Sequence, residues 1–288
     1  MKKIAITLVA LLATSLTFAQ EEKQGEAEAE PKLWTKQGNA SILFNQAGFN
    51  SKWATGGVNS LALDLNVSYD INYKKEDWTW DNKFIASYGL AKIDDGDTQK
   101  TNDRLEINSL VGKKATGFWS YSFFANLRTQ FDEGFVDPQL QQVKNSKLLS
   151  PAYLQFGPGM LWKKNDNLKF NIAPATSRFI FVDEQFTQFG ESFGVEQGDT
   201  SRFEFGASVQ GYYKLNIMEN ISIENIISLY SNYLDKPEYI DMDYTMNLVM
   251  KVNKYISASF TFQSIYDFNT VDALQIRETF GVGLNYGF

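Results

Sequence analysis

The chain has 288 residues, with 27 basic and 34 acidic side chains, a formal charge of −7, no cysteine and no histidine. Without cysteine there is neither a disulfide nor a thiol for a lipid anchor, and without histidine a Ser–His or Asp–His catalytic centre is impossible. The acidic balance argues against nucleic acid as a partner.

The chain opens MKKIAITLVALLATSLTFAQ. Lys2 and Lys3 precede a short apolar run, and Thr17-Phe18-Ala19 resembles a cleavage site with small residues at its outer positions. Residues 1–19 therefore read as a signal peptide, too short in its apolar part to span a bilayer comfortably. Its removal takes the formal charge from −7 to −9. The next stretch, QEEKQGEAEAEPK, is acidic and of low complexity, so residues 20–37 are expected to form a disordered periplasmic leader.

From about residue 38 the period is two. In LALDLNVSYDINY, Leu61, Leu63, Leu65, Val67, Tyr69, Ile71 and Tyr73 share one face, and Asp64, Asn66, Ser68, Asp70 and Asn72 share the other. A strand of that length is about twice what soluble sheets use. The same alternation runs from Trp78 to Leu90, Arg104 to Val111, Trp119 to Arg128, Arg202 to Leu215 and Ile240 to Lys251. Less regular segments lie near 38–47, 152–163, 168–178, 221–233, 255–267 and 276–288. The total is about twelve strands, and an even number is what a single-chain outer-membrane barrel requires.

The connections sort into two kinds. Residues 74–77, 115–117, 163–167, 218–220 and 253–254 read as tight turns, whereas 48–58, 92–102, 132–151, 179–200, 234–238 and 268–275 read mostly as longer loops. Tyr73, Trp78, Trp80, Trp119, Trp162, Tyr255 and Phe288 fall near the short turns and form a candidate membrane girdle. The chain ends FGVGLNYGF, alternating to a bare phenylalanine. That ending resembles the C-terminal signal by which outer-membrane barrels are recognised by their assembly machinery. The expected fold is all-β: a closed antiparallel transmembrane β-barrel of about twelve strands over 38–288, with short periplasmic turns and longer extracellular loops.

Five stretches carry a more specific resemblance: NSKWATGGVNSLAL (50–63), YKKEDWTWDNKF (73–84), KTNDRLEINSLVGKKATGFWSYSFFANLRTQFDEGF (100–135), LLSPAYLQFGPGM (148–160) and FGVEQGDTSRFEFGA (193–207). Together they resemble a Bacteroidota outer-membrane family catalogued as domain of unknown function 3078. The resemblance implies location and architecture, and it implies no activity.

On this alternation the inward face carries both signs: Asp64, Asp81, Lys83, Arg104, Glu106, Arg128, Arg202, Glu204, Asp241, Asp243 and Arg277. Such charges need water or a partner. They either line a water-filled pore or pair across the lumen and lock it. Twelve strands falls between about eight, where side chains fill the bore, and about sixteen, where a channel remains. The inward glycines at 157, 159, 206, 281, 283 and 287 either open one wall or admit bulky neighbours and let the sheet bend. Two loops are candidate partner surfaces: 48–58, with Trp53, Gly56 and Gly57, and 179–200, with Phe186, Phe189 and Phe193.

No enzyme, cofactor or metal is expected. The adjacent Asp241 and Asp243 read as a solvated wall rather than a glycosidase pair, and IDDGDTQ lacks the spaced ligands of a calcium loop. The expected function is a non-catalytic, porin-like channel for small polar solutes. The alternative is a sealed barrel serving as a structural or assembly partner in an outer-membrane complex. Expected partners are outer-membrane lipid, the assembly machinery through the last strand, and an envelope protein at the loops.

Overall fold

A computed structural model of the protein describes residues 33–49, 58–137, 142–269 and 271–288. The strands are β1 (Trp34–Ala47), β2 (Ser60–Lys75), β3 (Trp78–Ile93), β4 (Gln99–Thr116), β5 (Trp119–Thr129), β6 (Gly134–Phe135), β7 (Lys144–Ser146), β8 (Ala152–Asn165), β9 (Leu168–Phe181), β10 (Ser201–Met218), β11 (Ile221–Asn232), β12 (Ile240–Lys251), β13 (Ile256–Asp267) and β14 (Val271–Gly287). Twelve of them close into one antiparallel barrel in which every strand pairs with its neighbour along the chain and β14 returns to β1. The small β6–β7 hairpin and one turn of helix, α1 (Glu184–Thr187), decorate two of the long loops.

Closure follows from the alternation. A strand with one polar and one apolar face must bury one of them, and only a closed sheet leaves no unpaired backbone edge for lipid to meet. The burial is the reverse of a soluble domain. Ile42, Phe44, Phe84, Phe123, Phe203, Phe280 and Leu284 are exposed on the outside, while Glu106, Ser122, Asn171, Glu204 and Ser208 are buried within. An apolar outer band over a polar interior defines a membrane-spanning barrel. Three polar side-chain donors on the outer face are matched there: the Trp80 indole N–H donates to Ser109 Oγ at 2.8 Å, Ser109 donates to Asn82, and Tyr244 donates to Asn225 at 2.8 Å.

The barrel closes on the final residue. Gly38 and Phe288 exchange backbone hydrogen bonds of 2.6 and 3.0 Å. A Cβ on Gly38 would lie 2.2 Å from the Phe288 ring, so only glycine lets that ring lie flat on β1 and stack on Tyr69. Among the described residues the β1–β14 seam joins six residue pairs, Asn39–Phe44 with Gly287–Val282, against fourteen between β1 and β2.

Several boundaries move. β1 opens at Trp34, inside the stretch assigned to the leader, because Trp34 pairs with Tyr73 and their rings meet at 4.9 Å. The ends of β3, β4 and β14 also reach into predicted loops, leaving turns at 94–98 and at 268–269. The signal peptide and residues 20–32 lie outside the described residues.

Strand β9 carries an extra residue. Gly206 pairs with Thr176 and Ser208 with Ala173, so β9 advances three residues where β10 advances two. The step falls at Pro174-Ala175, where a proline cannot donate to the ladder. A one-residue bulge swaps the faces of everything beyond it. Ile172 is outward and exposed before the bulge, and Thr176, Arg178 and Ile180 are buried inside after it. Beside it, a Cβ on Gly157 or Gly159 would sit 2.5 Å from a carbonyl oxygen of β9. These glycines serve a close strand approach at a sharp bend; they do not hollow out the wall.

Candidate functional site

The lumen is organised in charged levels. Nearest the long loops, the Arg178 guanidinium on β9 meets Asp241 on β12 at 2.5 Å, Glu204 on β10 at 3.5 Å and Asp267 on β13 at 3.5 Å. Its planar cation stacks against Tyr153 and Tyr230, with centroids 5.6 and 5.0 Å away. Arg202 adds a second cation, 2.9 Å from Glu204, and also donates to the Gly194 carbonyl. Arg178 is 5% and Glu204 0% exposed, so each charge survives out of water only because the other ions compensate it.

A second level crosses the middle. Arg128 on β5 reaches Asp243 on β12 at 2.8 Å, five strands away around the barrel. Gln263 donates to the same Asp243. Glu106 accepts from Arg104 Nε at 2.6 Å and from Asn108 and Asn126 at 2.9 Å each. This level is less enclosed: Arg104 is 28% and Arg128 31% exposed. Beside this level Arg277 on β14 donates to Asn102, which in turn donates to Asp64 on β2.

The third level lies towards the short turns. Lys83 sits 3.9 Å from Asp70, and Lys163 is shared between Asp81 and Asp166 at 3.7 and 2.9 Å. Asp166 stands in the turn outside the spanning strands, and its hydrogen bond from Lys163 holds the carboxyl below its usual range.

The lumen is lopsided. Phe124, Leu161, Ala173, Thr176 and Ser208 fill the side bounded by β5 and β8–β10. The half-exposed polar residues Asn66, Ser68, Asp70 and Asn72 of β2 face the other side.

The β9–β10 loop closes over the filled side. Val182 and Val195 pack on Ile180, with Tyr153, Phe186 and Phe193 around them. Thr187, fully buried, donates to the Asp199 carbonyl at 2.7 Å. A salt bridge of 2.5 Å between Lys147 and Asp183 ties this loop to the β5–β8 loop, and Lys147 holds the Asp183 carboxyl below its ordinary range. Phe189 does not join the cap: it is 88% exposed at the tip.

The eleven inward residues named from the sequence thus fall into separate levels, with Arg202, Glu204 and Asp241 in the upper belt and Arg104, Glu106, Arg128 and Asp243 together in the middle. Of the loop candidates, Phe186 and Phe193 are cap residues, Phe189 is free at the tip, and Trp53, Gly56 and Gly57 lie outside the described residues. The girdle residues meet one another at the short-turn rim: Tyr73 and Trp80 flank Trp34, Trp119 and Trp162 pack on Phe170, and Tyr255 lies under Lys254. Arg178, the centre of the upper belt, is not among the sequence candidates. The proline inside β9 was the one signal that its face had switched.

Apolar exterior, closed ladder and charged interior make this a transmembrane β-barrel. Residues 44–135 match the family described as Protein of unknown function (DUF3078). No curated protein matches the sequence. Among solved structures the chain is similar to an outer membrane channel from Pseudomonas putida F1 at 11% identity, with 93% of this chain and 99% of that chain covered and a TM-score of 0.40. It is also similar to outer membrane phospholipase A from Escherichia coli, at 10% identity, 92% and 94% covered and a TM-score of 0.38. A third is the outer membrane channel DcaP of Acinetobacter baumannii, at 10% identity, 88% and 95% covered and a TM-score of 0.34.

Proposed function

We propose that the protein is a non-catalytic, porin-like channel of a Bacteroidota outer membrane, passing ions and small polar solutes along the wet side of a lumen narrowed by ion pairs. The observation that carries this reading is the middle level, where Arg104 and Arg128 are paired to acids yet remain 28% and 31% exposed inside the barrel. Buried ion pairs are often no more stabilising than apolar residues of the same size. A barrel built only to stand in the membrane gains nothing from wet charges of both signs, whereas such charges give a pore its selectivity. In this reading the long loops face the exterior and the short turns the periplasm. The absence of histidine supports the non-catalytic part.

The test is single-channel conductance of the refolded protein in a planar bilayer, beside the variant Arg104→Ala/Arg128→Ala. Small, steady steps are expected, and the variant should shift towards cation selectivity because two lumen cations are gone. No steps from either protein, with folding confirmed by heat-modifiable gel mobility, would overturn the channel. That result would favour a sealed barrel acting as a structural or assembly partner, for which the exposed Phe189 above a closed belt is the supporting observation.

A further inference from the structure

On the outer face at the short-turn rim, three strands set their side chains in rows. The outermost row runs Lys75 (β2), Trp78 (β3), Lys113 (β4) across paired positions. The row below it runs Trp34 (β1), Tyr73, Trp80, Val111. A cavity of about 370 Å³ opens outward between them, lined by Tyr73, Lys75, Glu76, Trp78, Trp80 and Val111 among others. Strands lie about 4.8 Å apart, so the two lysines start roughly 10 Å from each other, on either side of one indole.

We propose that this cavity is a binding site for one anionic phospholipid, its phosphate held between Lys75 and Lys113 and its acyl chain laid along Trp80 and Val111. Three observations point to a lipid of that charge. Neither lysine belongs to an ion pair among the described residues, whereas Lys163 at the neighbouring hairpin is already shared by Asp81 and Asp166. Lys113 does not line the cavity itself, but its ammonium lies 5.3 Å from the centroid of the Trp78 ring, which does, so the ring face holds the charge at the cavity's edge. The Trp80 ring is fixed from behind by its hydrogen bond to Ser109, which is anchored in turn on Asn82. Basic side chains above aromatic rings above an apolar wall match the layering of a phospholipid from headgroup to tail, and basic pockets beside membrane-spanning elements take anionic headgroups. Glu76, at the turn tip, would disfavour a second anion. The proposal rests on the barrel spanning a membrane and is independent of channel activity.

Native mass spectrometry of the full chain, refolded in detergent with equimolar phosphatidylglycerol and phosphatidylcholine, tests it. The protein should retain phosphatidylglycerol several-fold over phosphatidylcholine. Lys75→Gln/Lys113→Gln should bring the two lipids level, while Lys164→Gln/Lys254→Gln, elsewhere on the same rim, should keep the preference. Equal retention of both lipids by the unaltered protein overturns the site, and so does an equal loss in the two variants. Heat-modifiable mobility confirms that each variant is folded, and conductance should be the same in all three proteins.

Discussion

Arg178 shows how much one side chain can hold together in a barrel wall. It faces carboxylates from β10, β12 and β13 and stacks on tyrosines from β8 and β11. Replacing it with alanine leaves Glu204, Asp241 and Asp267 without their shared cation. Removing one partner from a buried ionic cluster costs about 3–5 kcal/mol. Arg178→Ala should therefore lower the urea midpoint of the heat-modifiable form, and adding Glu204→Gln and Asp241→Asn should recover part of the loss. An unchanged midpoint in the single variant would mean that water already screens the belt. The sequence made Glu204 and Asp241 legible because regular alternation surrounds both. It hid Arg178 because Phe170, Ile172 and Pro174 set a parity that the following bulge reverses. Gly38 was hidden for a different reason: the ring that fills its missing side chain comes from the far end of the chain.

Elements were easier to read than their ends. Six barrel strands were visible as clear alternation and six as less regular segments, because one face of each meets lipid and the other meets the charged interior. Above the lipid both faces meet water, the alternation fades, and the strand continues without a sequence signal. That is why β4 reaches back to Gln99 and β14 to Val271 through stretches read as loops. Within β9 the bulge is the decisive feature. Deleting Ala175 would leave a single residue between Ala173 and Thr176 and restore simple alternation with Thr176 and Arg178 still inward. It is the extra residue, if it were not absorbed by the bulge, that would turn Arg178 to the lipid face, where a charge costs about 2–4 kcal/mol near the midplane and less near the interface. Refolding into vesicles, measured as the fraction of heat-modifiable protein, should therefore survive the deletion. A large loss of yield would mean that the barrel needs the bend itself and not only the face that the bulge sets.

At the scale of the whole molecule the two rims differ in charge. The long-loop rim carries Asp94, Asp95, Asp97, Asp183, Glu184, Glu191, Glu196 and Asp199, and the short-turn rim carries Lys74, Lys75, Lys113, Lys114, Lys164 and Lys254. An acidic mouth raises the local concentration of cations and slows anions, more strongly at low salt. The seam gives a second whole-molecule expectation. With six pairs between β1 and β14, against ten to sixteen along most other ladders, amide protection should be lowest for Ser41–Phe44 and Val282–Leu284 among the central strand residues. Hydrogen exchange followed by mass spectrometry reads this directly, and uniform protection around the barrel would contradict it.

The same seam has a mechanical side. A hoop under tension parts at its shortest weld, and here that weld is finished by one pair of backbone bonds between Gly38 and Phe288. Pulled outward by its rims, the barrel should tear along β1–β14 first and unroll as an intact sheet, with β2 to β13 still laced together. The two torn edges lie side by side at the rim, so a short peptide joining Phe288 to Trp34 would turn the weld into a covalent clasp and move the weakest line elsewhere.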